Sequence, residues 1–189
     1  RGLVGSEMCI RDRIYDVYTD SSYVAYEENF TIAAGETLVN EIYVGIGTKE
    51  VYVYDSESNP IDAFVEINGD GYYACDWTGS SGYCNFTMPP GDYTIMIYDV
   101  YTDSSYVAYE ENFTIAAGET LVNEIYVPIG TKEVYVYDSE SNPIDAFVEI
   151  NGDDYYAYHW TYSDGHCNFT MPPGDYTILV EKSGFDTYI

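Results

Sequence analysis

Residues 49–68 read KEVYVYDSESNPIDAFVEIN. Lys49 to Asp55 alternate valine with tyrosine, the period of two expected of a strand with one buried face. Ser56 to Pro60 are turn residues, closed by a proline that cannot donate to a ladder. Ile61 to Asn68 alternate again, with Ala63, Val65 and Ile67 on one face and Asp62 and Glu66 on the other. Two such runs joined by a tight turn point to an all-β chain. The pattern continues through Gly69 and Gly71 into Tyr72–Thr78, where Tyr73, Cys75 and Trp77 share a face and are expected to pack inward. Turn residues 79–82 lead to Tyr83–Met88, with Cys84, Phe86 and Met88 aligned. Pro89–Asp92 turn into Tyr93–Tyr98, and residues 106–115 and 121–127 supply two more strands, seven in all. No window carries a capped helical period.

The chain repeats itself with an offset of 83 residues: Ile14–Val44 recur unchanged as Ile97–Val127, and the match resumes at Ile46 and Ile129. That period suits one small β-sandwich, and tandem seven-stranded Ig-like or prealbumin-like sandwich modules are the expected architecture. Residues 47–127 form the complete module. Residues 14–44 match its last strands, and residues 130–189 match its first five. Residues 2–13, GLVGSEMCIRDR, resemble the translation of a transposase-type sequencing adapter. Residues 1–13 are therefore read as foreign to the repeat and expected to lie unpacked. The connections near residues 45–47 and 128–130 are short, which predicts a stiff succession of modules.

The chain carries 6 basic and 33 acidic residues, a formal charge of −27. Arg1, Arg11 and Arg13 fall in the foreign stretch, which leaves three lysines. Such a surface repels nucleic acid and anionic membranes, and screening by salt relieves its self-repulsion. No segment is apolar for long enough to insert into a bilayer. Outside the foreign stretch stand Cys75, Cys84 and Cys167, an odd number, and Tyr158 replaces Cys75 in the later copy. Cys75 and Cys84 are expected to face the core across a hairpin, Cys75 opposite Met88 and Cys84 opposite Gly79, too far apart to bridge.

In the last copy Val134, Val136, Asp138, Pro143, Ile144, Ala146, Val148, Ile150 and Gly152 are followed by Asp164, Gly165 and Phe169, then Pro173, Gly174, Tyr176 and Ile178, then Gly184 and Phe185. This string resembles the carboxypeptidase regulatory-like domain, a transthyretin-like or prealbumin-like sandwich. B-type repeats of bacterial adhesins, PEGA domains and starch-binding-like modules share its outline. The middle module departs from it, with Ser81-Gly82 where the family favours Asp-Gly. The resemblance implies a stalk or accessory module of a secreted or surface protein, without peptidase activity.

Site candidates are sparse. No catalytic motif or cofactor-binding loop is present, so no enzyme is expected. Asp55, Glu57 and Asp62 surround one turn and recur as Asp138, Glu140 and Asp145. They are candidates for weak calcium binding, or else solvated acidic turns. Asn29, Asn85, Asn112 and Asn168 each begin Asn-Phe-Thr, an acceptor sequence for N-glycosylation. Tyr155, His159 and His166 form a candidate ligand surface in the last copy, with both histidines expected on the outward face. Tyr156, Tyr158, Trp160 and Tyr162 are expected in the core. Differences between copies cluster at positions 71–83 against 154–166, so one hairpin varies on a constant scaffold. Two functions fit: a structural or adhesion stalk meeting surface proteins or glycans, or a carbohydrate-binding accessory of a secreted enzyme. Both place the chain outside the cell or at its surface. Head-to-tail strand complementation between copies of the chain is a further expected contact.

Overall fold

The computed structural model describes residues 8–15, 17–20, 22–69 and 71–184. The chain is all-β, in tandem sandwich modules. The first pair of strands is β1 (Met8–Ile14) and β2 (Tyr26–Ile32). The central module contains β3 (Gly47–Tyr54), β4 (Phe64–Gly69), β5 (Tyr72–Trp77), β6 (Tyr83–Met88), β7 (Gly91–Tyr98), β8 (Tyr109–Ile115) and β9 (Thr120–Tyr126). The last part contains β10 (Gly130–Tyr135), β11 (Phe147–Asn151), β12 (Tyr156–Trp160), β13 (His166–Met171) and β14 (Thr177–Glu181).

Two sheets face each other in the central module, ordered β6-β3-β9 and β5-β4-β7-β8. Strand β3 is antiparallel to β6 and parallel to β9, with Thr48 opposite Thr120 and Tyr54 opposite Tyr126. Its alternation is realised: Lys49, Val51 and Val53 are buried and the tyrosines between them point out. Ala63, Val65, Ile67, Phe86, Met88, Ile95 and Ile97 complete the core. The last part repeats this plan as β10-β13 and β12-β11-β14. Among the described residues β10 has β13 as its one partner strand.

The connection from β5 to β6 is not a hairpin. A short 3-10 turn, Gly79–Ser81, carries the chain from one sheet to the other. Gly82 closes it at φ 66°, where a Cβ would meet the Val53 carbonyl oxygen at 2.7 Å. Gly165 does the same after Tyr162–Asp164. Consequently Cys75 lies across from Glu66 and Cys84 from Val51, on separate sheets. Cys84 is buried, whereas Cys75 is exposed, contrary to the inward placement expected of it. Both thiols are free, but the reason is opposite sheets rather than an offset within one hairpin.

The same correction applies to the aromatic face of β5 and β12. Tyr73 and Trp77 point outward, Trp77 with 50% of its surface exposed, and Tyr156, Tyr158, Trp160 and Tyr162 are exposed as well. The inward positions hold Tyr72 and Ala74, and Tyr155 and Ala157. Ala74 pairs with buried Ile67 on the neighbouring strand, and Ala157 with buried Ile150. The outward rings rest instead on a neighbouring outward ring, Trp77 on Phe64 and Trp160 on Phe147, with centroids 5.4 and 5.3 Å apart.

Residues 8–14 also depart from expectation, because they are paired. Met8 lies opposite Ile32 and Ile14 opposite Tyr26, the register in which β7 meets β8 from Gly91–Ile115 onward. A ladder is made by the backbone, so an edge strand accepts an extended segment with little regard to its sequence. Here the guanidinium groups of Arg11 and Arg13 also reach Glu27 at 3.0 and 2.8 Å. Residues 1–7, and the side chains of Met8 and Ile10, lie outside the described residues.

The loop after β7 binds the next unit. Tyr101 is buried and donates its hydroxyl to the Pro128 carbonyl at 3.0 Å. The Thr102 N–H donates to the Thr170 carbonyl at 2.8 Å, and the Thr170 N–H to Thr102 Oγ1 at 2.7 Å. The copy 83 residues earlier is alike, with Tyr18 bonded to Gly45 and Thr19 to Thr87. Side chains and backbone of adjoining units thus hold one another at each short connection.

Candidate functional site

Lys49 is the one buried charged side chain among the described residues, with 1% of its surface exposed. Alternation along β3 puts it on the core face together with Val51 and Val53. A lone buried ammonium is costly, so its surroundings must either supply partners or favour the neutral amine. The partners come from the two edge strands that flank the gap between the sheets. Lys49 Nζ donates to Asn123 Oδ1 on β9 at 2.8 Å. Asn123 Nδ2 donates in turn to Glu111 Oε2 on β8 at 2.8 Å. The Tyr109 hydroxyl donates to the same Glu111 oxygen at 2.6 Å. The amine also sits 4.2 Å from the centre of the Phe113 ring, which walls off that side.

Burial pulls the Lys49 amine below its ordinary pKa, opposed in part by the charge of Glu111. The Glu111 carboxyl is held below the usual range, first by the Tyr109 hydroxyl and then by the Asn123 amide and Lys49. Burial pushes the Tyr109 hydroxyl itself up to about 12, so it remains a donor. The arrangement therefore places a nucleophile of raised basic-form population against a carboxamide, with a carboxylate on the nitrogen that would leave. In chemical terms this is the layout for acyl transfer from an amide to an amine.

Sequence alone did not single out these residues. The signal was present: a lysine at an inward position of a nearly lysine-free chain, recurring as Lys132. Its partners lie far along the chain, Asn123 being 74 residues from Lys49. Only the parallel pairing of β3 with β9 brings them together.

The residues that sequence did single out are dispersed. Asp55 Oδ1 accepts the N–H groups of Glu57 and Asn59, both at 2.8 Å, and its other oxygen accepts Asn59 Nδ2 at 2.9 Å. Asp138 holds Glu140 and Asn142 in the same way. These bonds, led by those from Asn59 and Asn142, keep both carboxyls below their usual pKa. Asp62 accepts the Gly79 N–H at 2.9 Å, and Asp145 faces Lys182 at 3.8 Å. Glu57 and Glu140 are exposed. Among the described residues no three His, Cys, Asp or Glu side chains converge as metal ligands. Asn29, Asn85, Asn112 and Asn168 are all exposed, in mid-strand.

Tyr155 is not on a ligand surface. It is buried, donates to the Thr170 carbonyl at 2.8 Å and packs against Tyr101 and Tyr106 in the joint between units. The histidines do not share a face either. His159 is exposed as expected, but it lies opposite buried Val148, on the parity of Tyr155 and Ala157, and its ring meets Phe169 edge-on. His166 is on the outward parity of β13 and stacks on Tyr135, centroids 4.4 Å apart.

No known protein family and no curated protein matches the chain. Among solved structures, the Bacillus anthracis TIE protein superposes with a TM-score of 0.41 at 17% identity, over 84% of this chain and 32% of that one. A streptococcal ancillary pilin gives 0.38 at 12% identity, over 88% and 66%. The minor pilin GBS52 of Streptococcus agalactiae gives 0.42 at 15%, over 74% and 86%. The chain thus spans about a third of the TIE protein and about two thirds of the ancillary pilin. No helix among the described residues is long and apolar enough to cross a membrane.

Proposed function

We propose that the chain is a segment of a non-catalytic extracellular or cell-surface stalk whose sandwich modules lock themselves by an internal amide cross-link between Lys49 and Asn123, promoted by Glu111. One observation carries this reading: a buried amine 2.8 Å from a carboxamide oxygen whose nitrogen is held by a carboxylate. The neutral Lys49 amine attacks Asn123 Cγ. Glu111 takes the proton released from Nζ and passes it to Nδ2. The Nζ–Cγ bond forms, the Cγ–Nδ2 bond breaks, and one ammonia leaves. Glu111 ends as it began, and nothing is oxidised or reduced. The event happens once per module and consumes its own side chains, so it is maturation of a structural element rather than turnover. A stalk gains from it because a covalent tie between the first and last strands resists pulling. The motif string from Val134 to Phe185 supports a carboxypeptidase regulatory-like origin for the modules.

Intact mass after folding is expected to fall by one ammonia, and proteolysis to yield a branched peptide joining the Lys49 and Asn123 segments. The unmodified mass with Lys49 and Asn123 in separate peptides would rule the cross-link out. Its rate falls with pH by about tenfold per unit once Lys49 is mostly protonated, because the neutral amine reacts. The depressed pKa keeps the reaction running at a lower pH than free lysine allows, and a profile still rising unchanged toward the ordinary lysine pKa would contradict that.

A second reading, glycan binding by the outward aromatics, draws on the exposed rings of Trp77, Trp160, Tyr156 and Tyr158. Sugars stack on such faces. Titration with soluble oligosaccharides is then expected to change tryptophan fluorescence saturably. No change across a broad oligosaccharide panel would remove this reading.

A further inference from the structure

Glu111 has to act twice in the cross-link, accepting a proton from Lys49 Nζ and releasing one to Asn123 Nδ2. Its carboxylate must therefore keep one position while its charge is lost and regained. A glutamate that is exposed, as Glu111 is, has several rotatable bonds and water to turn toward. Tyr109 stands two residues before it on β8, on the same parity. The Tyr109 hydroxyl and Asn123 Nδ2 converge on one oxygen, Glu111 Oε2, at 2.6 and 2.8 Å. The Tyr109 ring packs against the core opposite buried Ile97 on β7, so the hydroxyl is anchored from inside the sandwich. The earlier copy keeps the same geometry, with Tyr26 and Asn40 bonded to Glu28 at 2.6 and 2.7 Å.

We infer that Tyr109 is a positioning residue for the cross-link, its hydroxyl holding the Glu111 carboxylate against the Asn123 nitrogen throughout the reaction. The inference rests on the cross-link proposed above. Of the groups that act on Glu111, Tyr109 is the one the reaction does not alter. Lys49 must be neutral to attack and ends as an amide, so its charge is gone when Glu111 acts. Asn123 Nδ2 leaves as ammonia and takes its hydrogen bond with it. The Tyr109 hydroxyl, with a pKa pushed up to about 12, stays a donor from the first proton transfer to the last. The surrounding strands point other groups elsewhere. Glu111 has Ile95 as its register partner on β7, while Tyr93 on β7 meets Phe113. Glu110 and Glu124 lie on the outward parities of β8 and β9. The titratable groups that act on the Glu111 carboxyl are thus Tyr109 and, more weakly, Lys49. A hydrogen bond donated to a carboxylate favours its ionised form, which is the form that takes the proton from Nζ.

The test follows ammonia loss by intact mass as the full chain, recovered from insoluble aggregates under denaturant, is diluted to fold in buffers from acid to alkaline. In the parent the rate should fall about tenfold per pH unit below the Lys49 pKa, then about a hundredfold per unit once Glu111 is protonated as well. Tyr109→Phe keeps the ring and removes the hydroxyl. It should slow cross-linking about tenfold near neutral pH. The steepening should also set in at higher pH, because Glu111 has lost the bond that most favours its ionised form. The same substitution in the Lys49→Met chain, which cannot cross-link, reports any effect on folding through its urea midpoint. A Tyr109→Phe rate and profile equal to the parent's would overturn the inference and leave the cross-link standing. Equal slowing at every pH, or a Tyr109→Phe, Lys49→Met chain that fails to fold, would also overturn it, because Tyr109 would then act through packing alone. No ammonia loss from the parent would remove the cross-link itself, and this inference with it.

Discussion

Glu111→Gln leaves Lys49 and Asn123 unjoined and lowers the unfolding midpoint of the central module steeply. The substitution keeps an oxygen to accept the Asn123 amide but removes the base that carries the proton. The lost tie closes a loop of 74 residues. Chain entropy of that loop is worth about 4 kcal/mol, by the relation used for disulfides. In a domain of this size that corresponds to a fall of roughly 15–30 °C. Lys49→Met separates the tie from the charge, because it removes the cross-link without leaving an uncompensated amine in the core. Both variants should melt well below the parent, with Lys49→Met the higher of the two. The uncross-linked Glu111→Gln form should also gain stability as pH rises. The folded Lys49 pKa lies below the unfolded value near 10.5, so between the two the unfolded chain binds more protons. Equal midpoints for parent and Glu111→Gln in calorimetry would show that no covalent tie exists.

Thr78→Val is expected to cost about 2–4 kcal/mol, because it strands two buried backbone groups. Thr78 is buried where the chain leaves β5 for the opposite sheet. Its Oγ1 accepts the Ala63 N–H at 2.9 Å and donates to the Ile61 carbonyl at 2.7 Å. Valine matches the shape and supplies neither. Thr161 makes the same bonds to Ala146 and Ile144, at 2.8 and 2.6 Å. That explains why threonine stays constant here while residues around it differ between copies. Urea unfolding should show the midpoint drop for Thr78→Val and near-parent behaviour for Thr78→Ser, which keeps the hydroxyl. A Thr78→Val midpoint equal to the parent's would mean that the two backbone groups find other partners.

Alternation by itself determined the strands, because a strand with one wet face must repeat every two residues. Val51, Val53, Ala63, Val65, Ile67, Phe86 and Met88 all lie inward as their spacing requires. The offset of 83 likewise exposed the tandem organisation without reference to any contact. Alternation could not choose a face where both parities are apolar. On β5 and β12 size favoured Tyr73, Trp77, Tyr158 and Trp160 as core, but the inward parity is the other one, which holds Tyr72 with Ala74 and Tyr155 with Ala157. Nor could turn residues distinguish a hairpin from a crossing between sheets, since Gly82 serves either and the difference lies in which strand β6 meets. The Lys49, Glu111 and Asn123 site belongs wholly to the tertiary structure. Each residue is ordinary in its own strand. They become a reactive set because β9 runs parallel to β3, β8 faces both across the gap, and burial strips water from the amine.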